Sequence, residues 1–112
     1  MHKLNITEKG ENDLLENAEY LKNVLHSKLA ANNLVDGFYK TIEKLMEFPK
    51  SYPLVDNDLL KPFGIRFVQV RNFTVFFVCD DLDELVFVLR FIYSRRNWKE
   101  LLGDDFLTTI ST

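Results

Sequence analysis

The arginines of this chain are confined to one part of the sequence. All five fall between Arg66 and Arg96, inside or beside three β-type segments, whereas the first sixty residues carry their positive charge only as lysine. Arginine suits a site that holds an oxyanion, because its planar guanidinium forms two parallel hydrogen bonds with a carboxylate or a phosphate. We therefore expect a phosphate-binding or carboxylate-binding surface in the C-terminal half. The alternative is that these arginines form solvated ion pairs, which contribute little.

The charge balance limits the class of partner. A formal net charge of -3 argues against a chain that coats nucleic acid, since such chains are usually strongly basic. Residues 61–102 are nevertheless mildly basic, and their cations are Lys61, Arg66, Arg71, Arg90, Arg95, Arg96 and Lys99. Together these could form a localised anion site on an acidic body. Arg90 lies within an apolar segment, where an unpaired charge is costly, so we expect it to meet a carboxylate or a ligand.

The length and composition predict a single domain over residues 1–112. The chain is 46% hydrophobic and has ten Phe, which is enough to form one core. No apolar run approaches the roughly 20 residues that span a bilayer, and the N-terminus lacks a signal-peptide core, so we expect a soluble, cytoplasmic protein. Cys79 is the only cysteine and is predicted to be buried filler. We expect no metal at the acidic turn of residues 80–84, because it lacks the Gly and the regular spacing of a calcium loop. We also expect no cofactor.

Local patterns predict the order of the elements. His2 to Ile6 is predicted to be a strand, with Thr7 as the N-cap of the next helix. Two helices joined near Ser27 follow, and their apolar residues recur at helical spacing: Leu14, Ala18, Leu21 and Leu25 in the first, and Leu34, Phe38, Ile42 and Leu45 in the second. The second helix should stop by Phe48, because Pro49 disfavours helix in the residue before it.

The C-terminal half predicts a three-stranded antiparallel meander and a helix. Its strands, rich in Val and Phe, are residues 65–71, 73–79 and 85–93, and the last should be central because its middle is apolar on both faces. Asn97 and Glu100 form a capping box that opens a short helix, which Gly103 should end. Residues 103–112 are expected to fray, or to pack through Phe106, Leu107 and Ile110 on a partner.

These elements predict an α+β fold of order β-α-α-β-β-β-α. A helical hairpin packs on one face of a small, mostly antiparallel four-stranded sheet, and a short helix follows. Layering of this kind leaves the other face of the sheet exposed, and we expect some of the arginines to emerge there.

Four stretches of the chain carry a family resemblance. They are EKGENDLLENAEYL, EFPKSYPLV, GIRFVQVRNFTVFFV and VLRFIYSRRNWKELL, and they cover nearly the whole chain in order. In these stretches the chain resembles the RelE/ParE superfamily of toxins from type II toxin-antitoxin modules, with the ParE-like and plasmid-stabilisation branch nearest in style. The resemblance implies a growth inhibitor that a cognate antitoxin holds inert.

The superfamily implies two possible mechanisms. RelE-like members cleave messenger RNA on the ribosome by attack of the 2′-OH, which needs a proton acceptor, cations for the scissile phosphate and a donor for the leaving oxygen. ParE-like members inhibit DNA gyrase. The resemblance places Arg96 at the phosphate-holding position, Arg95 at a second basic position, Thr74 where the nucleases have a strand arginine, and Leu102 near their tyrosine. The residues that the nucleases use are therefore incomplete, because their strand arginine and their tyrosine are both missing. This favours the ParE-like mechanism.

A rearranged nuclease site stays open as an alternative. Tyr93 could transfer a proton and Arg66 could hold the phosphate beside Arg96, and these three are the candidate catalytic residues. The candidates for binding the anion or the target are Arg71, Arg90, Arg95 and Lys61. A third possibility is a degenerate, non-toxic relative that serves only as a binding module or co-repressor.

The resemblance also implies the partners. The antitoxin should wrap the toxin with a helix and an extended segment that cover apolar grooves of the hairpin and the sheet. A basic partner segment would suit the acid-rich helical half, and an acidic one would suit Arg66, Arg71, Arg95 and Arg96. The target is DNA gyrase or the ribosome with messenger RNA. Operator DNA would be bound only through the antitoxin, and no membrane is involved.

Overall fold

The computed structural model describes the backbone of residues 2–111 and the side chains of residues 2–105. Its strands are β1 (Lys3–Ile6), β2 (Arg66–Val70), β3 (Phe73–Asp80) and β4 (Leu85–Tyr93), and its helices are α1 (Glu8–Glu19), α2 (Lys28–Glu47) and α3 (Trp98–Ser111). The predicted α+β class and element order are confirmed. None of the described helices is long and apolar enough to cross a membrane.

The sheet has the strand order β1-β4-β3-β2. The prediction that the last strand is central is confirmed, since β4 pairs with β1 in parallel and with β3 in antiparallel fashion. The β3–β4 register shifts between Phe76 and Phe77, which oppose Arg90 and Val88, so Leu89 is an extra residue on β4. Such a bulge changes the direction of the side chains that follow.

The helical hairpin forms as Thr7 and the apolar spacing predict, with the two helices joined at Ser27. The Thr7 side chain accepts a hydrogen bond from the Gly10 N–H, and the Ser27 side chain accepts one from the Ala30 N–H. The four predicted core residues of α2 are all buried. Helix α2 ends at Glu47, before Pro49 and a single 3₁₀ turn.

The first helix departs from its predicted length. Helix α1 ends at Glu19, and a π-helical turn over Tyr20–Val24 follows, in which the Leu25 N–H donates to the Tyr20 carbonyl. A π-turn holds one residue more than an α-turn and so shifts the phase of the following side chains. The prediction that Leu25 continues the buried stripe is therefore wrong, and its side chain is 55% exposed.

Both faces of the sheet are covered. One core lies between the hairpin and the sheet and includes Phe38 and Phe91. A second core lies on the opposite face, where the loop after α2 and the start of α3 place Val55, Leu60 and Leu102 on the strands. The prediction that this face is exposed is wrong, because the loop and α3 supply the missing layer.

The last helix is longer than predicted. The prediction that Gly103 ends it is wrong, since α3 continues to Ser111. Asp105, one half-turn beyond Gly103, forms ion pairs with Lys9 at 2.5 Å and with Arg90 at 3.0 Å, so the second half of α3 has anchors of its own. The side chains of Phe106, Leu107 and Ile110, predicted to pack on a partner, lie outside the described residues.

Candidate functional site

Helix α1 takes the place of a neighbouring strand along the second half of β4. Beyond the end of β1, the Thr7 hydroxyl donates to the Leu89 carbonyl, the Phe91 N–H donates to Asp13, and the Asn17 amide donates to the Phe91 carbonyl. The helix lies so close that a Cβ on Gly10 would be 2.9 Å from the Val88 oxygen. We call this contact between Thr7–Asn17 and β4 the α1–β4 seam.

Arg90 belongs to this seam. Its Nε and Nη2 donate to the two carboxylate oxygens of Asp13 at 2.7 and 3.0 Å, and its Nη1 donates to Asp105 at 3.0 Å. The hydrogen bond to Asp13 is the largest effect on the pKa of Arg90, and it raises that pKa although burial acts in the opposite direction. The expectation that Arg90 meets a carboxylate is confirmed. Because its donors serve two carboxylates of the same chain, we do not include it in the candidate surface.

The turn between β2 and β3 holds Arg71 in an uncommon conformation. Val70 pairs with Phe73, which leaves Arg71 and Asn72 as a two-residue turn, and Arg71 has a φ of 56°. Such turns normally place Gly or Asn where φ is positive, because a Cβ makes this conformation costly. The Arg71 side chain leans over α2, where its Nε is 3.9 Å from the place that a Cβ on Gly37 would take. Strain of this kind is typical of functional positions.

Arg71 and Arg95 line the same cavity. Its volume is about 280 Å³, and its lining residues are Gln69, Arg71, Asn72, Tyr93, Ser94 and Arg95. All of these side chains are cationic, amide or hydroxyl groups. Within the described part of the chain, neither arginine is paired with a carboxylate. The cavity, which we call the arginine pocket, therefore offers two guanidinium groups to an anion.

A second and larger cavity adjoins the arginine pocket. Its volume is about 460 Å³, and its lining residues are Asn17, Tyr20, Leu21, Leu25, Asn72, Phe73 and Tyr93. Asn72 and Tyr93 line both cavities and so separate them. The π-turn forms the outer wall, because it turns Tyr20 and Leu25 outward. We call this cavity the apolar groove.

The comparisons with known proteins agree with this fold. The family model described as "ParE toxin of type II toxin-antitoxin system, parDE" matches residues 4–98. The chain belongs to the ParE toxin family.

A solved structure from P. aeruginosa, described as a chromosomal ParDE TA system, is similar to this toxin in fold. The TM-score is 0.67 at 18% sequence identity, and the match covers 83% of this chain and 96% of that one. No protein of curated function matches in sequence. The predicted family is therefore confirmed, and with it the assignment as the toxin component of a type II toxin-antitoxin system.

The remaining predicted site residues of this ParE-family toxin lie apart from the arginine pocket. Arg66 is at the opposite end of β2, where its Nη1 donates to the Tyr52 carbonyl at 2.6 Å. Lys61 is exposed in a 3₁₀ turn of the loop that covers the second core. Arg96 follows Arg95 directly but lines a different cavity, with Glu100 and Asp104. The structure thus brings together Tyr93, Arg71 and Arg95 and separates them from Arg66, Lys61 and Arg96.

The strand position that carries an arginine in the nucleases has a structural role in this toxin. Thr74 is buried, and its hydroxyl is 2.9 Å from the Ser94 hydroxyl. Phe76 and Trp98 pack nearby with their ring centroids 5.2 Å apart, and together with Thr74 they line a small cavity of about 120 Å³. Leu102, near the place of the nuclease tyrosine, is fully buried.

Sequence reasoning missed several members of the site. Gln69 and Ser94 reach the arginine pocket, and Tyr20 and Leu25 form the groove wall. Gln69 could have been found, because it is the one uncharged polar residue of β2, between two valines. The outward position of Leu25 had no sequence signal, since it depends on the π-turn.

Proposed function

We propose that this toxin inhibits growth by binding DNA gyrase through the surface around Tyr93, and that a cognate antitoxin blocks this binding. The observation that carries the proposal is the composition of the arginine pocket. Tyr93 has guanidinium, amide and hydroxyl neighbours there, and no lining residue is a histidine or a carboxylate. The chain's two histidines, His2 and His26, both belong to the N-terminal half. This set is suited to holding an anionic group and is poorly suited to accepting the proton of a 2′-OH.

The family supports an antitoxin as the partner of this chain. Exposed apolar side chains at the tip of the hairpin, among them Tyr20, Val24 and Leu29, offer the kind of surface that an amphipathic partner covers. We propose that operator DNA is bound through the antitoxin, since this chain has a net charge of -3. We also propose that the protein acts in the cytoplasm.

A gyrase supercoiling assay on the purified toxin tests the main proposal. We expect the wild-type toxin to inhibit supercoiling and the variants Arg71→Gln and Arg95→Gln to inhibit it less. In cells that express the toxin, messenger RNA should stay intact. Lys44→Gln removes an exposed charge from the far end of α2 and should inhibit as well as the wild type does. Active gyrase at toxin concentrations that stop growth would contradict the proposal.

Ribosome-dependent cleavage of messenger RNA is the second candidate function. It is favoured by one observation, that the Tyr93 hydroxyl and two arginines share one pocket. Mapping of messenger RNA after regulated expression tests it: cuts that vanish in Tyr93→Phe or Arg95→Ala, with folding intact, would establish the nuclease. Normal growth with neither effect would leave the non-toxic binding module.

A further inference from the structure

The arginine pocket adjoins the small cavity beside Thr74. The volume of that cavity is about 120 Å³, and its lining residues are Phe67, Gln69, Thr74, Phe76, Ser94 and Trp98. We call it the aromatic cavity. Gln69 and Ser94 line the arginine pocket as well, so one small ligand can occupy both cavities at once.

The arginine pocket is suited to a phosphate group. Neither Arg71 nor Arg95 has a carboxylate partner in the described part of the chain, and no residue that lines the pocket is acidic. The two guanidinium groups bring two positive charges into one cavity. A phosphate monoester carries a charge of roughly -1.5 to -2 at neutral pH and has three acceptor oxygens, whereas a carboxylate would neutralise only one of the two cations.

The aromatic cavity is suited to a single planar ring. Phe67 and Phe76 are partners across the β2–β3 pair, and the Trp98 ring centroid is 5.2 Å from that of Phe76, so three aromatic side chains line one small space. An apolar cavity of about 150 Å³ holds benzene. A cavity of about 120 Å³ therefore takes one six-membered ring and excludes the fused rings of a purine.

The ring must carry polar atoms. Thr74 is buried, and its hydroxyl is 2.9 Å from the Ser94 hydroxyl. Each hydroxyl has one proton and two lone pairs, so this contact uses one proton and leaves the other for a ligand. The Gln69 amide adds a donor and an acceptor where the two cavities meet. A pyrimidine base, with its carbonyl oxygen and its ring nitrogen, matches such a set.

The distribution of charge favours a single nucleotide over a strand. Arg71 and Arg95 are the only cations among the lining residues of the arginine pocket, the apolar groove and the aromatic cavity. A strand that crossed all three would find cations for only one of its phosphates. Lys99 lies outside these cavities, and it is followed on α3 by the exposed Glu100 and Asp104, which would repel further phosphates.

We infer that this toxin binds a free pyrimidine nucleotide, with the base in the aromatic cavity and the 5′-phosphate on Arg71 and Arg95. The ribose would then lie beside Gln69 and Ser94, where the two cavities meet. The binding itself goes beyond the proposed function. One consequence rests on that function, namely that an occupied pocket would keep Arg71 and Arg95 from DNA gyrase.

Titration of the ¹⁵N-labelled toxin with nucleotides, followed by NMR, tests the inference. The probes are cytidine 5′-monophosphate (CMP) and uridine 5′-monophosphate. The matched controls are adenosine 5′-monophosphate, whose base is too large, ribose 5-phosphate, which lacks the base, and cytidine, which lacks the phosphate. We expect the amides of residues 67–74 and 93–98 to shift, with each control binding about tenfold more weakly than CMP.

Variants of the toxin distinguish the two halves of the site. Arg71→Gln and Arg95→Gln should each weaken the binding of CMP and of ribose 5-phosphate about tenfold and leave that of cytidine unchanged. Ser94→Ala should weaken the binding of CMP and of cytidine about threefold and leave that of ribose 5-phosphate unchanged. The NMR spectrum of each variant reports whether it is folded. Lys44→Gln serves as the charge control and should bind CMP like the wild type.

Three results would overturn the inference. They are binding of any control as tight as that of CMP, shifts confined to other residues, and no shifts up to about 10 mM CMP. A cytidine decamer of RNA or DNA that binds more than about tenfold more tightly than CMP, at equal nucleotide concentration, would also overturn it, in favour of a strand. The titration contains no gyrase, so a failure of the inference and a failure of the proposed function are separate results.

Discussion

Arg90 and Arg95 lie five residues apart, yet they have opposite roles. Arg90 is within the α1–β4 seam, where two carboxylates of the same chain use its donors. Arg95 follows the end of β4 and has no carboxylate partner in the described part of the chain. The difference shows that an arginine on a sheet indicates a ligand only where the fold leaves its hydrogen bonds unused. It also predicts that changes at the seam affect stability and that changes at the arginine pocket affect binding.

Removal of Arg90 should have the largest effect. Arg90→Ala leaves Asp13 buried with an uncompensated charge, and breaking such a pair costs about 3–5 kcal/mol of unfolding free energy. Urea denaturation measures the loss. The matched control is Lys50→Ala, which breaks the exposed ion pair with Asp81 and should cost less than about 1 kcal/mol. Similar losses in the two variants would contradict the special role of the seam.

The close approach of α1 predicts the next largest effect. Gly10→Ala places a methyl group against the Val88 carbonyl and should lower the unfolding free energy by about 1–3 kcal/mol. Gly103→Ala is the control, because α3 has open space at that position, and there alanine should stabilise by up to about 1 kcal/mol. The test is whether the unfolding free energy falls in Gly10→Ala and rises in Gly103→Ala. A change in the same direction in both variants would show that α1 can move away from β4.

Relief of strain at Arg71 separates stability from binding. Arg71→Gly should raise the unfolding free energy by about 1 kcal/mol, since glycine accepts a positive φ without cost. The same change should abolish the contribution of Arg71 to supercoiling inhibition. Arg71→Gln keeps the strain and loses the charge, so it should impair inhibition without a gain in stability. A destabilised Arg71→Gly would mean that the side chain supports the fold.

Cys79, near the end of β3, lies outside both the α1–β4 seam and the arginine pocket, and it gives the smallest expected effect. Burial raises the pKa of its thiol above the ordinary value of 9.0, although the nearby Arg66 acts to lower it. The folded state therefore keeps the neutral thiol at a pH where the unfolded state ionises. The contribution of the neutral Cys79 thiol to the unfolding free energy is fully present below pH 9. It is lost as the pH rises through the pKa of the thiol in the folded state. Urea midpoints from pH 8 to 10.5 should fall more steeply in the wild type than in Cys79→Ala, and parallel curves would contradict this.

Local sequence signals predicted the elements well because each depends on neighbouring residues. Thr7, Ser27 and Pro49 mark helix ends through contacts within one turn, and the apolar spacing of α2 identifies its buried face. The π-turn escaped prediction, since no residue type specifies it. The prediction that Gly103 ends α3 failed for a related reason. The ion pairs of Asp105 anchor the rest of α3, and one of their partners, Lys9, is far away in the sequence.

The candidate site was predicted in part. Tyr93, Arg71 and Arg95 were expected to be functional and do share a pocket. Arg66 and Lys61 were grouped with them on charge and Arg96 on the family resemblance, and these three lie elsewhere. Residue type reports what a side chain could bind. It does not report which way that side chain points at the end of a strand.

The sequence by itself determined the order of the elements, the central position of β4 and the family, because these follow from periodicity, caps and ordered motifs. The tertiary structure decided which arginines are free. Arg90 is saturated by Asp13, which is 77 positions away, and the groove beside Arg71 and Arg95 exists because the π-turn meets the β2–β3 turn. Contacts of this kind depend on how distant segments pack, and a local pattern carries no record of them.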